Sequence, residues 1–226
     1  MKTTTIRLAA LATMLTAASF GAHAAETADL AVQGMIRPSA CNVSLSGNGT
    51  IDFGTISALT LNQTEPTRLP DQIITMNIIC DAPTRIGFNA TDNRSGTVNS
   101  SASSVLSWTA STQFGLGNSG GGSIGTYWLA AGPNHVTPTA DGTDVAALIS
   151  DTAGASWRAA KEGPLTPSSR SRIHAWGAQG TTTSAAYTNI TQPIKVITAI
   201  GSTDSLPDLS SAISLDGSAT ISLVYL

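Results

Sequence analysis

The last eleven residues, 216–226, carry the pattern that most constrains this 226-residue chain. Apolar side chains recur there at every second position, with polar Thr220 and Ser222 between them, at Ala219, Ile221, Leu223 and Tyr225. Because alternate residues of a β-strand point to opposite faces, this pattern predicts a strand with one apolar face. Asp216-Gly217 precedes the strand as a turn signal. Chain ends usually fray, so a terminal strand this strong has to pair, either inside its own sheet or with a second protein.

The first 24 residues have the three parts of a secretory signal peptide. Lys2 and Arg7 give a positive start, Leu8 to Phe20 is apolar, and Ala22-His-Ala24 is a small-residue cleavage pattern. We expect export, with a mature chain that begins at Ala25. No later run reaches the roughly 18 apolar residues of a spanning helix, so no membrane span is predicted.

Two cysteines, Cys41 and Cys80, remain after cleavage. In an oxidising compartment they have one possible intramolecular pairing, whereas two free buried thiols are the alternative that export disfavours. A disulfide closing this loop would stabilise the fold by about 4 kcal/mol in the chain-entropy description.

Composition argues against nucleic-acid and anionic-membrane partners. Charged residues make up 11% of the chain, and the formal net charge of −3 becomes −5 once Lys2 and Arg7 leave with the signal peptide. No cluster of Lys and Arg offsets this acidity, so binding to polyanions is not expected.

Short alternating runs separated by turn residues indicate an all-β fold. Such runs occur at Val43–Leu45, Ile51–Phe53, Ile74–Ile78, Ile86–Ala90, Ile194–Thr198 and Ile213–Leu215, with an earlier one from Leu30 to Ile36. No window of helical length has a convincing helical stripe, and the segment from Ala146 to Ala160 is the hardest to assign. Many short strands with frequent turns predict an antiparallel, immunoglobulin-like β-sandwich in one domain, residues 25–226.

The middle of the chain is rich in glycine and tryptophan. The run from Phe114 to Leu129 surrounds a glycine cluster, which most simply predicts a hairpin or a bulge. Trp128 and Trp157 are candidate carbohydrate-binding residues if their rings are exposed, although any single tryptophan here is more often part of the core.

Catalytic and metal-binding patterns are weak. Gly117-Asn-Ser-Gly-Gly121 resembles the nucleophile loop of trypsin-like proteases, but His135 and His174 both follow Ser119, in the wrong order for that fold. The two histidines lack ligand-like spacing, and the acidic residues do not match a calcium loop. We expect no enzymatic activity, no metal and no cofactor.

Several segments resemble subunits of bacterial chaperone–usher fimbriae. These are Gly34-Met-Ile-Arg-Pro-Ser-Ala-Cys41, Ile51-Asp-Phe-Gly-Thr-Ile56, Ile74-Thr-Met-Asn-Ile-Ile-Cys80 and the C-terminal strand with penultimate Tyr225. More specifically, Phe114-Gly-Leu-Gly117, Ile124-Gly-Thr-Tyr127, Trp157 and Leu215 to Leu226 are similar to a domain of unknown function found in the beta clade of these fimbriae.

The resemblance implies an incomplete sandwich that lacks one strand, with a Cys41–Cys80 disulfide. A periplasmic pilus chaperone would bind the strand that carries Ala219, Ile221, Leu223 and Tyr225. A neighbouring subunit would later replace the chaperone at the outer-membrane usher, and this chain's own donor segment would include Leu30 and Val32. The resemblance therefore implies a structural fimbrial subunit at the cell surface that contributes to adhesion.

A different class of function fits the tryptophan-rich middle. The chain would then be a stand-alone secreted or periplasmic β-sandwich, or an adhesin, that recognises carbohydrate. A two-domain tip adhesin should be longer than this chain, which begins its subunit-like motif at once.

Overall fold

A computed structural model describes residues 35, 40–106, 108–167 and 171–226. The chain divides into two units, residues Met1–Arg37 and Pro38–Leu226, and the architecture below is that of the second unit. The predicted signal peptide and the predicted donor residues Leu30 and Val32 lie outside the described residues.

The described residues form strands joined by turns and short helical segments. In chain order the strands are β1 (Cys41–Leu45), β2 (Thr67–Arg68), β3 (Gln72–Thr84), β4 (Ile86–Asp92), β5 (Phe114–Gly115), β6 (Asn118–Ser119), β7 (Gly122–Ser123), β8 (Gly125–Ala130), β9 (Thr139–Ala140), β10 (Thr143–Asp144), β11 (Ala146–Ser150), β12 (Arg158–Ala159), β13 (Ile173–Gly177), β14 (Tyr187–Ile200) and β15 (Ala219–Tyr225). The helix α1 spans Ser100–Ser103, and single 3₁₀ turns span Ser46–Gly49, Ala58–Thr60, Ala110–Thr112 and Thr203–Ser205.

Two antiparallel sheets make up the fold. Sheet I has the order β1-β3-β14-β8-β5, with β2 and β9 also on β14 and β10 on β9. Sheet II has the order β12-β11-β13-β4-β15, and β6 pairs with β7 in a separate hairpin. The predicted all-β antiparallel sandwich is confirmed.

The core lies between the two sheets. On β3 the inward residues Ile74, Met76 and Ile78 are buried, and on β4 so are Ile86 and Phe88. Alternate burial along each strand follows from the two-residue period of the pleat.

A polar group is accommodated in this core by a buried hydrogen bond. The Trp176 ring stacks on Phe88 with centroids 5.4 Å apart. The indole N–H of Trp176 donates to the Gln192 side-chain oxygen at 2.9 Å. Burying the indole is favourable because its one donor has a partner.

The disulfide joins β1 to β3. Cys41 and Cys80 are directly opposite each other in the antiparallel register, with Cα atoms 4.0 Å apart, and are bonded. The predicted pairing is confirmed. The bond ties β1, an edge strand, to the centre of sheet I.

Some local predictions differ from the structure. The runs at Ile51–Phe53 and Ile213–Leu215 are not strands, because neither segment is hydrogen-bonded into a sheet. The segment that was hardest to assign contains β11 and β12.

The glycine cluster forms the β6–β7 hairpin, where Gly120 and Gly121 have φ of 52° and 87°, the left-handed geometry that tight hairpin turns require.

His174 is a buried histidine on β13. Its ring packs against Phe88 with centroids 5.3 Å apart. Within the described part of the chain, its Nε2 atom has no hydrogen-bond partner. Burial lowers the pKa of His174 to about 3, and the nearby positive charge of Arg172 acts in the same direction.

His174 should therefore make the fold acid-sensitive. Its folded pKa lies below the value of about 6.5 expected in the unfolded chain, so acid protonates the unfolded chain first. The full contribution is present above the unfolded pKa and is lost progressively as the pH falls toward the folded pKa. We expect urea denaturation to give a smaller free energy of unfolding at pH 5 than at pH 7, with a reduced difference in His174→Gln.

Thr91→Gln, at an exposed position of β4 without a titratable group, is the control and should keep the wild-type pH difference. An NMR titration in which His174 of the folded chain gains a proton near its ordinary pKa would contradict this prediction.

Candidate functional site

The two edge strands β1 and β15 bound a gap between the sheets. Each is the last strand of its sheet, β1 beside β3 in sheet I and β15 beside β4 in sheet II. Among the described residues, neither pairs with a second strand on its other side. Both therefore present backbone donors and acceptors along one edge.

The register of β15 shows which residues have open backbone groups. The Leu226 N–H donates to the Arg85 oxygen, and the Ser218 oxygen accepts from the Asn93 N–H. The backbone groups of these even-numbered residues therefore point toward β4. In an antiparallel ladder these groups alternate sides along a strand. The odd-numbered residues Ala219, Ile221 and Leu223 therefore direct their N–H and C=O groups away from β4.

The same reasoning applies to β1. The Asp81 N–H donates to the Ala40 oxygen at 3.0 Å. The backbone N–H and C=O groups of the even-numbered residues in this segment therefore point toward β3. Cys41, Val43 and Leu45 therefore direct their backbone groups toward the open edge.

Val43 is a core-facing residue that the described chain leaves uncovered. It stands opposite Ile78 on the same face of sheet I. Ile78 is 0% exposed, whereas Val43 is 41% exposed. This exposure marks a place beside β1 where the described residues do not cover an inward apolar side chain.

The other side chains along this gap are also incompletely covered. Those that are only partly buried yet pack against the main core are Cys41, Leu45, Ile51, Leu215, Ala219, Ile221 and Leu223. The β4 residues opposite Ile221 and Leu223, Ala90 and Phe88, are buried. The apolar lining belongs to the core, but the described residues do not close it.

The gap continues as a groove of two adjoining cavities that share apolar lining residues. The first, of about 260 Å³, is lined by residues that include Leu45, Ala219 and Ile221. The second, of about 610 Å³, lies between segments 51–61 and 206–215. The two share Ile51, Phe53 and Leu215. We call this continuous feature the groove.

The walls of the groove run in opposite directions. Cys41 meets Tyr225 at one end, and Leu45 meets Ala219 and Ile221 further along. Residue numbers thus rise along one wall as they fall along the other. A strand inserted between them would be antiparallel to one wall and parallel to the other.

Tyr225 spans one end of the groove. The Cys41 N–H, one of the open-edge donors of β1, donates to the Tyr225 hydroxyl oxygen at 3.0 Å. The Tyr225 side chain is otherwise 55% exposed. This hydrogen bond is a direct polar link between the two edges, and it occupies a donor that an inserted strand would meet there.

The approach to β15 is fixed by an ion pair and a close contact. Arg94 donates through Nε and Nη2 to the two carboxylate oxygens of Asp216, each at 2.8 Å. This guanidinium holds the pKa of Asp216 below its usual range. A Cβ on Gly217 would lie 2.9 Å from a methyl carbon of Leu116 and 3.0 Å from the Tyr127 ring. Asp216-Gly217 was predicted to be a turn, but the structure places no turn there, and the glycine permits this close approach.

The structure gathers part of the predicted site. Ala219, Ile221, Leu223 and Tyr225 all lie along the open edge of β15, and their contact with a chaperone remains a prediction. Sequence reasoning missed the opposite wall. The alternation at Val43 and Leu45 marked a strand, but nothing local showed that it would face β15.

The two candidate tryptophans do not form one site. Trp128 lies on β8 and is 2% exposed, on the face of sheet I that points away from the groove. Trp157 lies before β12, beside Gly154. Among the described residues, no helix is long and apolar enough to cross a membrane.

Comparisons with known proteins place this chain among uncharacterised relatives. A family model described as "Protein of unknown function (DUF1120)" matches residues 30–148, just over half of the chain. "Protein GltF" of Escherichia coli (strain K12) is 29% identical over 247 aligned residues, which cover 96% of each chain. "Uncharacterized protein YhcF" of the same strain is 28% identical over 92% of this chain and 94% of its own length.

Tyr225→Phe should remove the link across the groove and keep the ring. A hydrogen bond of this kind contributes about 1 kcal/mol, so we expect the Cys41 amide to exchange with solvent about fivefold faster. Amide exchange followed by NMR measures this directly. Tyr187→Phe, on β14, is the control and should leave the Cys41 rate unchanged. An unchanged rate in Tyr225→Phe would show that the hydroxyl does not hold this edge.

Proposed function

This chain belongs to the DUF1120 family. We propose that it is a structural subunit of a bacterial surface fimbria, assembled by donor-strand complementation. One observation carries the proposal: core-facing Val43 is exposed at the centre of an edge strand whose open backbone groups face a second open edge on β15. A sandwich with this gap has a place for one more strand.

The chemistry of the groove suits a β-strand as its occupant. Both walls offer N–H and C=O groups at every second residue, and apolar side chains lie between the walls. In β-strand addition, main-chain hydrogen bonds supply affinity, and alternate side chains of the incoming strand enter pockets. The shared lining of Ile51, Phe53 and Leu215 extends such pockets beyond β1 and β15.

An open groove is also a hazard, which motivates a protective partner. Unpaired edges next to exposed apolar side chains template association between copies of a chain. We propose that a periplasmic chaperone donates the first strand, through contacts with Ala219, Ile221, Leu223 and Tyr225. At the outer-membrane usher, the N-terminal segment of a neighbouring subunit would then replace it.

Export and adhesion complete the proposal. The predicted signal peptide would deliver the chain to the periplasm, and the assembled fibre would lie at the cell surface. The proposed role is structural and requires no catalytic group. The donor segment of this chain, with Leu30 and Val32, would fill the groove of the next subunit.

Periplasmic expression tests the proposal. The chain would be exported in a bacterial host either alone or with a co-expressed pilus chaperone. We expect degradation or aggregation when it is alone, and a soluble one-to-one complex when the chaperone is present. Export of the chain alone as a soluble, protease-resistant monomer, at the yield reached with the chaperone, would mean a complete sandwich and would overturn the proposal.

Single charges placed in the groove should block capture. Val43→Arg puts a cation where the inserted strand would pack, and Val43 is already exposed, so the variant should not destabilise the core by itself. We expect loss of chaperone co-purification in Val43→Arg. The control Asn42→Arg, on the outer face of the same strand, should be captured like the wild type.

The second wall gives an independent version of this test. Ile221→Arg should abolish capture, whereas Ser222→Arg, its outward neighbour, should not. If Val43→Arg and Asn42→Arg are both captured as well as the wild type, the chaperone contact lies somewhere other than the groove.

A further inference from the structure

A third cavity lies on the outer face of sheet I, away from the two that form the groove. Trp128 on β8 is paired in register with Ile197 on β14, and both point outward from the main core. Ala102 of α1, Leu106 and Trp108 cover part of this face. Beside that cover, an open cleft of about 430 Å³ remains. Its lining residues are Arg68, Leu106, Trp108, Trp128, His135, Glu162, Lys195 and Ile197.

Two indoles form the aromatic wall of the cleft. Trp108 lies against Trp128 with ring centroids 6.0 Å apart, and His135 meets Trp128 edge-on at 5.2 Å. Trp108 is only partly buried, so its ring is accessible from the cleft. The buried Gln113 side chain fixes the loop by donating to the Trp108 main-chain oxygen at 2.7 Å.

An oriented carboxylate faces this wall. The Nε2 atom of His135 lies 2.6 Å from one Glu162 oxygen, and the Asn134 side-chain amide donates to the other. The Asn134 hydrogen bond is the main reason that the pKa of Glu162 lies below its usual range. Glu162 is therefore ionised at neutral pH and accepts hydrogen bonds.

The loop that carries His135 is built to meet Glu162. The Gly132 N–H donates to the Glu162 main-chain oxygen at 3.0 Å, and the Asn134 N–H donates to that of Lys161 at 3.0 Å. A Cβ on Gly132 would lie 2.4 Å from the Glu162 carbonyl carbon. Only glycine permits this approach, so the backbone itself positions His135 beside the carboxylate.

Two cationic side chains, Arg68 and Lys195, also line the cleft. The Lys195 ammonium and the Arg68 guanidinium each bind the Asp71 carboxylate at 2.8 Å. One carboxylate is shared by two cations there, and Glu162 supplies the second negative charge. The charges of Arg68, Lys195, Asp71 and Glu162 cancel, so these four side chains together favour neither an anionic nor a cationic ligand.

We propose that this cleft binds a neutral saccharide. The apolar C–H face of a pyranose ring would stack on Trp108, and its hydroxyl groups would donate to Glu162 and accept from Arg68 and Lys195. Stacking aromatics and a few convergent polar groups are what a small-ligand site requires, and the volume is in the range of about 300–1,000 Å³ typical of such sites.

The saccharide site is separate from strand insertion. The groove is lined by inward residues of sheet I, such as Leu129 and Val196, whereas the cleft is lined by their outward neighbours Trp128 and Lys195. A subunit with its groove filled would still expose the cleft. The fibre would then carry one saccharide site on each copy of this chain.

Binding to a defined sugar panel tests this inference. The exported chain, purified with whatever partner it retains, would be titrated with glucose, galactose, mannose, fucose, N-acetylglucosamine, N-acetylgalactosamine and sialic acid, with tryptophan fluorescence as the readout. We expect saturable binding of at least one neutral sugar. Trp108→Ala and Glu162→Gln should each weaken it at least about tenfold.

Matched controls keep the test decisive. Trp157→Ala removes a tryptophan outside the cleft, and Glu65→Gln removes an exposed carboxylate elsewhere; both should bind like the wild type. If Trp108→Ala does not fold, Glu162→Gln decides alone because it preserves side-chain shape. All variants should keep chaperone capture, which separates this result from that of the groove.

Three outcomes would overturn the inference. One is no binding of any neutral sugar by the wild type at about 10 mM, beyond the weak end of ligand affinities. Another is unchanged binding in Glu162→Gln. The third is binding of sialic acid alone, which would mean that the cations, rather than the balanced cleft, select the ligand.

Discussion

Along a β-strand, side chains alternate between the two faces of the sheet, and backbone N–H and C=O groups alternate between the two edges of the strand. Both alternate with every residue, and this coupling decides what the open edge of β15 presents. Its core-facing residues, Ala219, Ile221 and Leu223, are also those whose N–H and C=O groups point away from β4. The same holds for Cys41, Val43 and Leu45 on β1. Among the described residues, each wall therefore presents apolar side chains and open backbone groups from the same residues, except that the Cys41 N–H already donates to Tyr225. An occupant can satisfy both needs only if it is itself a β-strand.

The remaining structure holds these two walls in place. The disulfide fixes β1 to β3 at the position where the open edge begins. The Arg94–Asp216 ion pair and the close contact at Gly217 set the path of the chain into β15. The Cys41–Tyr225 hydrogen bond joins the two walls at one end, so contacts within this chain define the shape of the groove.

Sheet I presents different surfaces on its two faces. Its inner face completes the main core and lines the groove, while its outer face carries Trp128 and the cleft. Alternation along β8 and β14 assigns neighbouring residues to the two surfaces, Leu129 to one and Trp128 to the other. Because of this separation, a substitution in the cleft does not touch the lining of the groove.

The features that the sequence predicted correctly are those with a local period. The alternation on β15, the strands around Met76 and Phe88, and the glycine hairpin follow from neighbouring residues alone. Ile51, Phe53 and Leu215 alternate just as clearly, yet they form no strand because a strand also needs a partner across the sheet. The meeting of β1 with β15, and of His135 with Glu162, brings together residues distant in the chain, which no local pattern encodes.

Amide hydrogen exchange along β15 tests the proposed open edge most directly. The chain would be refolded at low concentration and compared with its chaperone complex, with exchange resolved residue by residue by mass spectrometry. We expect the Ile221 and Leu223 amides to exchange freely in the uncomplexed chain while Ser222, which pairs with β4, is protected. All three should be protected after capture. Slow exchange of Ile221 and Leu223 before capture, or no change on capture, would contradict an open edge at β15.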